Sequence, residues 1–176
     1  MKMNVKKLAV SAMLVAVAVS LSTFSIPIGA SKCFPIQHLA NVIAGVFLGP
    51  MYGVAMAFCT SLIRNLMGTG SLLAFPGSMV GAYVGAELYR LSGKLWAAYA
   101  GEVFGTGILG GLLCYPVATL IMGKEAAVFA YVMPFLMSTL CGTIFAAFLM
   151  GVLCKSGVFL YLKHMLDSET EAARLK

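Results

Sequence analysis

Six apolar runs follow one another with little polar sequence between them. They cover about 8–25, 36–48, 51–65, 76–91, 95–122 and 127–154, ahead of a more polar tail over 155–176. A soluble domain would have to turn roughly half of its residues to water. Here 61% of the 176 residues are hydrophobic and only 10% are charged. The pattern predicts an all-α integral membrane protein, a six-helix transmembrane bundle forming a single membrane-embedded domain over 1–176.

The second and third runs are shorter than the ~20 residues that cross ~30 Å of hydrocarbon. Gly49-Pro50 divides them, the proline suiting the first turn of a new helix and the glycine a tight connection. They read as two short spans shielded by their neighbours, or as a re-entrant hairpin. Basic residues set the orientation. With both termini cytoplasmic, Lys2, Lys6, Lys7, Arg90, Lys94, Lys155, Lys163, Arg174 and Lys176 lie inside, and Lys32, Arg64 and Lys124 toward the outside. The start of the chain mimics a secretory signal, but no convincing small-residue cleavage site follows before Pro27, so it reads as a retained first helix. The tail reads as a possible extension of the sixth helix, with Asp167, Glu169 and Glu171 solvated.

Small residues at four-residue spacing mark helix contacts, because they let backbones approach closely in lipid. Gly77, Gly81 and Gly85 do so in the fourth run; Gly101/Gly105 and Gly107/Gly111 do so in the fifth. The first helix carries Ala9, Ala12, Ala16 and Ser20, which serve either internal packing or a flat surface for another membrane protein.

Polar residues within the runs are few and concentrated. A charged side chain at mid-bilayer costs roughly 2.5–3.5 kcal/mol on insertion scales, so such residues face a cavity or a partner. Gln37, His38 and Asn41 share one broad helical face, and Arg64 and Asn65 end the third run. At ~1.5 Å rise per residue both groups, with Tyr115, reach the outer third of the membrane, so a pocket open to the exterior is expected. Each has a plainer reading as well. Arg64 snorkels to headgroups, His38 bonds a carbonyl, and the two asparagines bridge helices. Gly68-Thr69-Gly70-Ser71 and Phe75 suggest an ordered loop closing as a lid. Glu102 lies about 10 Å into the fifth run from the cytoplasmic side, as a pocket floor or as part of a structural network. Glu87 reads as an interfacial ion pair with Arg90 three residues later.

The basic residues form no patch with interleaved aromatics, so the net charge of +6 does not point to nucleic acid. No catalytic, nucleotide-binding or metal-ligand motif appears, and no cofactor is expected. A membrane enzyme using Glu102 and His38 is disfavoured by their different estimated depths. A non-transporting scaffold, in which polar residues only bridge helices, is the other alternative.

The run Lys32-Cys33-Phe34-Pro35-Ile36-Gln37-His38 through Asn41 resembles the ThiW family. So do Gly49-Pro50, Arg64-Asn65, Gly68-Thr69-Gly70, Phe75-Pro76-Gly77-Ser78, and Gly101-Glu102 with Gly105-Thr106-Gly107. The resemblance implies a substrate-capture (S) component of an energy-coupling-factor vitamin importer. Such a component is not an enzyme. It binds its vitamin or precursor from outside the cytoplasmic membrane and works with a transmembrane coupling protein and two ATPase subunits, which supply the energy. It further implies that Ala12 and Ala16 meet the coupling protein, and that the ligand is hydroxyethylthiazole, the thiazole precursor of thiamine. The substrate-binding residues expected on this reading are Gln37, His38, Asn41, Arg64, Asn65, Phe75, Glu102 and Tyr115. A small thiazole alcohol needs an aromatic slot, from Phe34, Phe75 and Tyr115, and hydrogen-bond partners, from His38, Asn41 and Asn65. Arg64 is excessive for a neutral ligand; it holds a loop or points to an anionic precursor.

Overall fold

The computed structural model describes residues 4–28 and 31–174, with side-chain surroundings defined for 4–26 and 33–166. Lys2, Lys176 and the side chains of Lys32, Asp167, Glu169, Glu171 and Arg174 lie outside the described set. The chain forms α1 (Val5–Ser20), a short antiparallel hairpin of β1 (Ile26–Ile28) and β2 (Ser31–Cys33), then α2 (Pro35–Phe47), α3 (Pro50–Leu66) and α4 (Ala74–Ser92). Three further helices follow: α5 (Leu95–Ile121), α6 (Val132–Lys155) and α7 (Val158–Arg174). The architecture is helical, as the runs predict; the hairpin before α2 is the addition.

Local chemistry explains the helix ends. Asn4 accepts the backbone N–H of Lys7 and caps α1. Proline opens both α2 and α3, where its missing N–H costs nothing. Between them Gly49 has φ +89°, a conformation that only glycine adopts without strain, and this turns the chain back on itself.

α2 occupies the middle of the assembly, packed against α3, α4 and α6. Ten of its 13 residues are buried. A helix of that length spans only about 20 Å. It tolerates this because its flanks meet protein rather than lipid. Among the described residues, α5 and α6 are the two helices long and apolar enough by themselves to cross hydrocarbon. Their outward faces present large apolar side chains such as Leu120, Ile144 and Phe148, each more than two-thirds exposed. Such a surface suits lipid and not water.

Glycines form the α4–α5 seam. A Cβ on Gly101 would lie 2.6 Å from Gly85 Cα, one on Gly105 2.8 Å from Gly81 Cα, and one on Gly110 2.6 Å from Gly77 Cα. The steps on α4 are four and four, whereas on α5 they are four and five. The extra residue is absorbed by a π-helical stretch, Val103–Gly110. Gly107 and Gly111 serve another neighbour, facing Leu136 and Val132 of α6.

The tail corrects the sequence reading. α6 stops at Lys155, and Gly157, with φ +75°, reverses the chain into a separate helix instead of extending the sixth. α7 is amphipathic and folds back on the bundle. Leu166 is buried, Phe159 packs on Phe47 at 5.2 Å between ring centroids, and Lys163 Nζ donates to Tyr89 OH at 2.6 Å. An isolated apolar face of this kind has to find a partner surface. Glu87 and Arg90 form the expected pair, with Oε2 and Nη2 2.7 Å apart.

Candidate functional site

α1, α3 and α5 end, and α2, α4 and α6 begin, at the same end of the bundle, opposite the start of α1. A cavity of about 680 Å³ opens there, walled by the loops after α1 and α3, by the first two turns of α2, α4 and α6, and by Thr106 of α5. This lies within the ~300–1,000 Å³ of pockets that enclose small organic ligands. Gln37, His38 and Arg64 are on its wall, with Phe34, Thr69 and Ser138.

Two hydrogen-bonded chains run from this wall into the protein. In the first, Ser138 Oγ accepts the backbone N–H of Phe34 at 3.0 Å and lies 3.0 Å from His38 Nε2. His38 Nδ1 is 3.0 Å from Glu102 Oε1. With the Ser138 proton given to Nε2, the imidazole keeps its own proton on Nδ1, directed at the carboxylate. Glu102 Oε1 also accepts from Asn41 Nδ2 and Thr106 Oγ1, each at 3.0 Å. Asn41 further donates to Ser78 O at 3.3 Å. A carboxylate that is 1% exposed is tolerable in an apolar interior only with such donors around it.

In the second chain, Arg64 Nη1 donates to Gln37 Oε1. Gln37 Nε2 donates to Ser61 Oγ at 3.2 Å, and Ser61 Oγ lies 3.0 Å from Ser78 Oγ. Ser78 Oγ donates to Ala74 O at 2.7 Å, so the Ser61 proton points to Ser78 and every link has one direction. Arg64 also donates from Nη2 to Thr69 O at 3.3 Å, and its guanidinium lies 4.3 Å from the Phe34 ring centroid. Backbone N–H groups of Thr69 and Gly70 return to Arg64 O, which closes the α3–α4 turn.

The expected residues therefore fall into three groups. Gln37, His38 and Arg64 face the cavity. Asn41 and Glu102 sit behind it, reaching it through His38. Asn65, Phe75 and Tyr115 are off the wall. Asn65 Nδ2 ties Ser61 O to Ser71 O, Phe75 is in the first turn of α4 against Phe58 at 5.6 Å, and Tyr115 O accepts from Thr119 Oγ1. Arg64 is 2% exposed, so it turns inward and does not snorkel to headgroups. The depth difference that separated Glu102 from His38 is also corrected. Phe34, just ahead of α2, bonds Ser138 in the second turn of α6, so α2 begins below the start of α6 and His38, in its first turn, is already deep enough to meet Glu102.

Ser138 and Ser61 were not singled out from the sequence, and Ser78 appeared only within the motif Phe75-Pro76-Gly77-Ser78. Gly142 was missed too, although a Cβ there would lie 2.6 Å from His38 Cβ, so its absence admits α2 against α6. Ser138, Gly142 and Ala146 repeat at four-residue spacing, and all three are buried. That stripe was the available signal. By contrast Ala9, Ala12, Ala16 and Ser20 are all exposed on α1.

Comparison with known proteins gives one assignment. A family described as thiamine-precursor transporter protein (ThiW) matches residues 8–156. Neither the curated proteins nor the solved structures give a match.

Proposed function

This chain belongs to the ThiW family of thiamine-precursor transporter proteins, and we propose that it is the substrate-capture component of an energy-coupling-factor importer. The family is one of transporters, not of enzymes. In this reading residues 1–176 form one unit embedded in the cytoplasmic membrane, α1–α6 cross it, and both termini are cytoplasmic. The cavity then opens outward and takes up hydroxyethylthiazole. His38, Gln37 and Arg64 contact the ligand, and Phe34 offers a stacking face. Asn41 and Glu102 position His38, and Asn65 holds the loop. Phe75 and Tyr115 have no contact role in it.

Uptake is powered by two ATPase subunits acting through a transmembrane coupling protein. The exposed Ala12 and Ala16 supply the surface for that protein, since small residues let a partner helix approach closely. One observation carries the reading: a cavity of about 680 Å³ at the end opposite the start of α1, with a hydrogen-bonded imidazole and a buried guanidinium on its wall.

Isothermal titration of the purified, detergent-solubilised protein with hydroxyethylthiazole tests it, with thiamine and the pyrimidine precursor as comparisons. Tight binding selective for the thiazole is expected. Silence toward the thiazole with a folded protein overturns the ligand assignment.

A further inference from the structure

Arg64 is a buried cation without a counter-charge. It is 2% exposed, and no carboxylate among the described residues lies within ion-pair reach of it. Among the described residues the one buried carboxylate, Glu102, is engaged by His38, Asn41 and Thr106. A guanidinium has five N–H donors and does not lose its charge in proteins. Here Gln37 Oε1 and Thr69 O, both neutral, take two of them, and Nε has no partner. Phe34 covers one face of the guanidinium, and Arg64 is on the cavity wall. Beside it the cavity wall carries hydroxyls: Ser22 Oγ lies 3.2 Å from Thr69 Oγ1, and Ser71 and Ser25 line the same space.

We propose that the captured molecule carries an anionic oxyacid group, a phosphate monoester, seated on Arg64. This rests on the reading of the cavity as a solute-capture site and adds the charge class of the solute. A buried cation gives little to a neutral alcohol, whereas a phosphate supplies the missing charge and oxygens that match the planar donor edge. The volume of about 680 Å³ leaves room for such a group beyond a thiazole ring. Hydroxyls on the wall can donate to the remaining phosphate oxygens.

The test compares hydroxyethylthiazole, its phosphate monoester and inorganic phosphate on the solubilised wild type, Arg64→Gln and Arg64→Lys, by calorimetry and thermal shift. The ester is expected to bind the wild type at least about tenfold more tightly than the alcohol. That ratio should fall toward one in Arg64→Gln and survive in part in Arg64→Lys, which keeps the charge and serves if the glutamine variant does not fold. Binding of the alcohol with no advantage for the ester overturns the anion seat and leaves the thiazole reading standing. If neither thiazole binds, the thiazole reading fails and inorganic phosphate decides. Thermal stabilisation of the wild type that Arg64→Gln lacks upholds the seat, and no stabilisation overturns it.

Discussion

His38 Nδ1 and Glu102 Oε1 lie 3.0 Å apart although 64 residues separate them in sequence. The contact joins the first turn of α2 to the start of the π-helical stretch of α5, and it links the cavity wall to the most polar point of the interior. His38 is held on both sides, by Glu102 and by Ser138, so its ring is oriented before any ligand arrives. Preorganisation of this kind lowers the ordering cost of binding.

Removing the wall residue and removing its support should differ. His38→Ala is expected to abolish thiazole binding in a protein that still folds. Asn41→Ala, acting through Glu102, should weaken binding by about tenfold, since one neutral hydrogen bond is worth ~1 kcal/mol and a charge-assisted one more. Titration calorimetry on both variants reads the difference; unchanged affinity in His38→Ala refutes the assignment.

Glu102→Ala should cost stability as well as affinity. It strands donors on Asn41 and Thr106 together with the imidazole, at about 1–3 kcal/mol for each buried group left unpaired. Glu102→Gln keeps an acceptor and should fall between Ala and wild type. Thermal unfolding in detergent orders the three proteins.

The glycine seam predicts a sharp contrast within one residue type. Gly101→Ala forces a Cβ to within 2.6 Å of Gly85 Cα, a backbone contact that no rotamer relieves, and should destabilise by ~1–3 kcal/mol. Gly151→Ala meets nothing within 4 Å and should be neutral or stabilising, because alanine favours the helix by about 1 kcal/mol. Equal melting temperatures for the two variants would refute the close approach of α4 and α5.

Ala12→Trp and Ala16→Trp place a bulky ring on an exposed face of α1, away from the cavity. Ligand binding by the isolated protein should be unchanged, and uptake by cells containing the coupling module should be lost. Normal transport removes the docking role.

Leu166→Ala should release α7, since its side chain is almost fully buried against the bundle and truncating a buried leucine costs ~2–5 kcal/mol. Faster tryptic cleavage at Lys163, with ligand affinity unchanged, is the expected result. A protected site in the variant contradicts the docked tail.

Much of this was legible because lipid imposes simple rules. Apolar length located α1 to α6 within a few residues, Gly49-Pro50 marked the turn between α2 and α3, and four-residue glycine spacing marked the α4–α5 seam. Gly110 escaped because the π-helical stretch adds a residue that a 3.6-residue period does not foresee. Depth arithmetic failed for Glu102 and His38 because it assumed that the helices start level with one another, whereas Phe34, just ahead of α2, meets Ser138 in the second turn of α6. Asn65 and Phe75 have side chains suited to a site but engage the α3–α4 turn and Phe58 instead, and Tyr115 is not on the cavity wall.

The sequence by itself determined that the chain is helical and apolar-faced, and that its few buried polar residues had to gather, because an isolated polar group in hydrocarbon is too costly to scatter. It could not determine which of them would meet. Helix periodicity fixes the face a residue occupies, but not the rotation and depth of one helix against another. Those were decided by close packing: Gly142 admitting α2 against α6, and the glycines of α4 and α5 interlocking across a π-turn. Only that packing set Glu102 beneath His38 and left Arg64 facing the cavity without a counter-charge among the described residues.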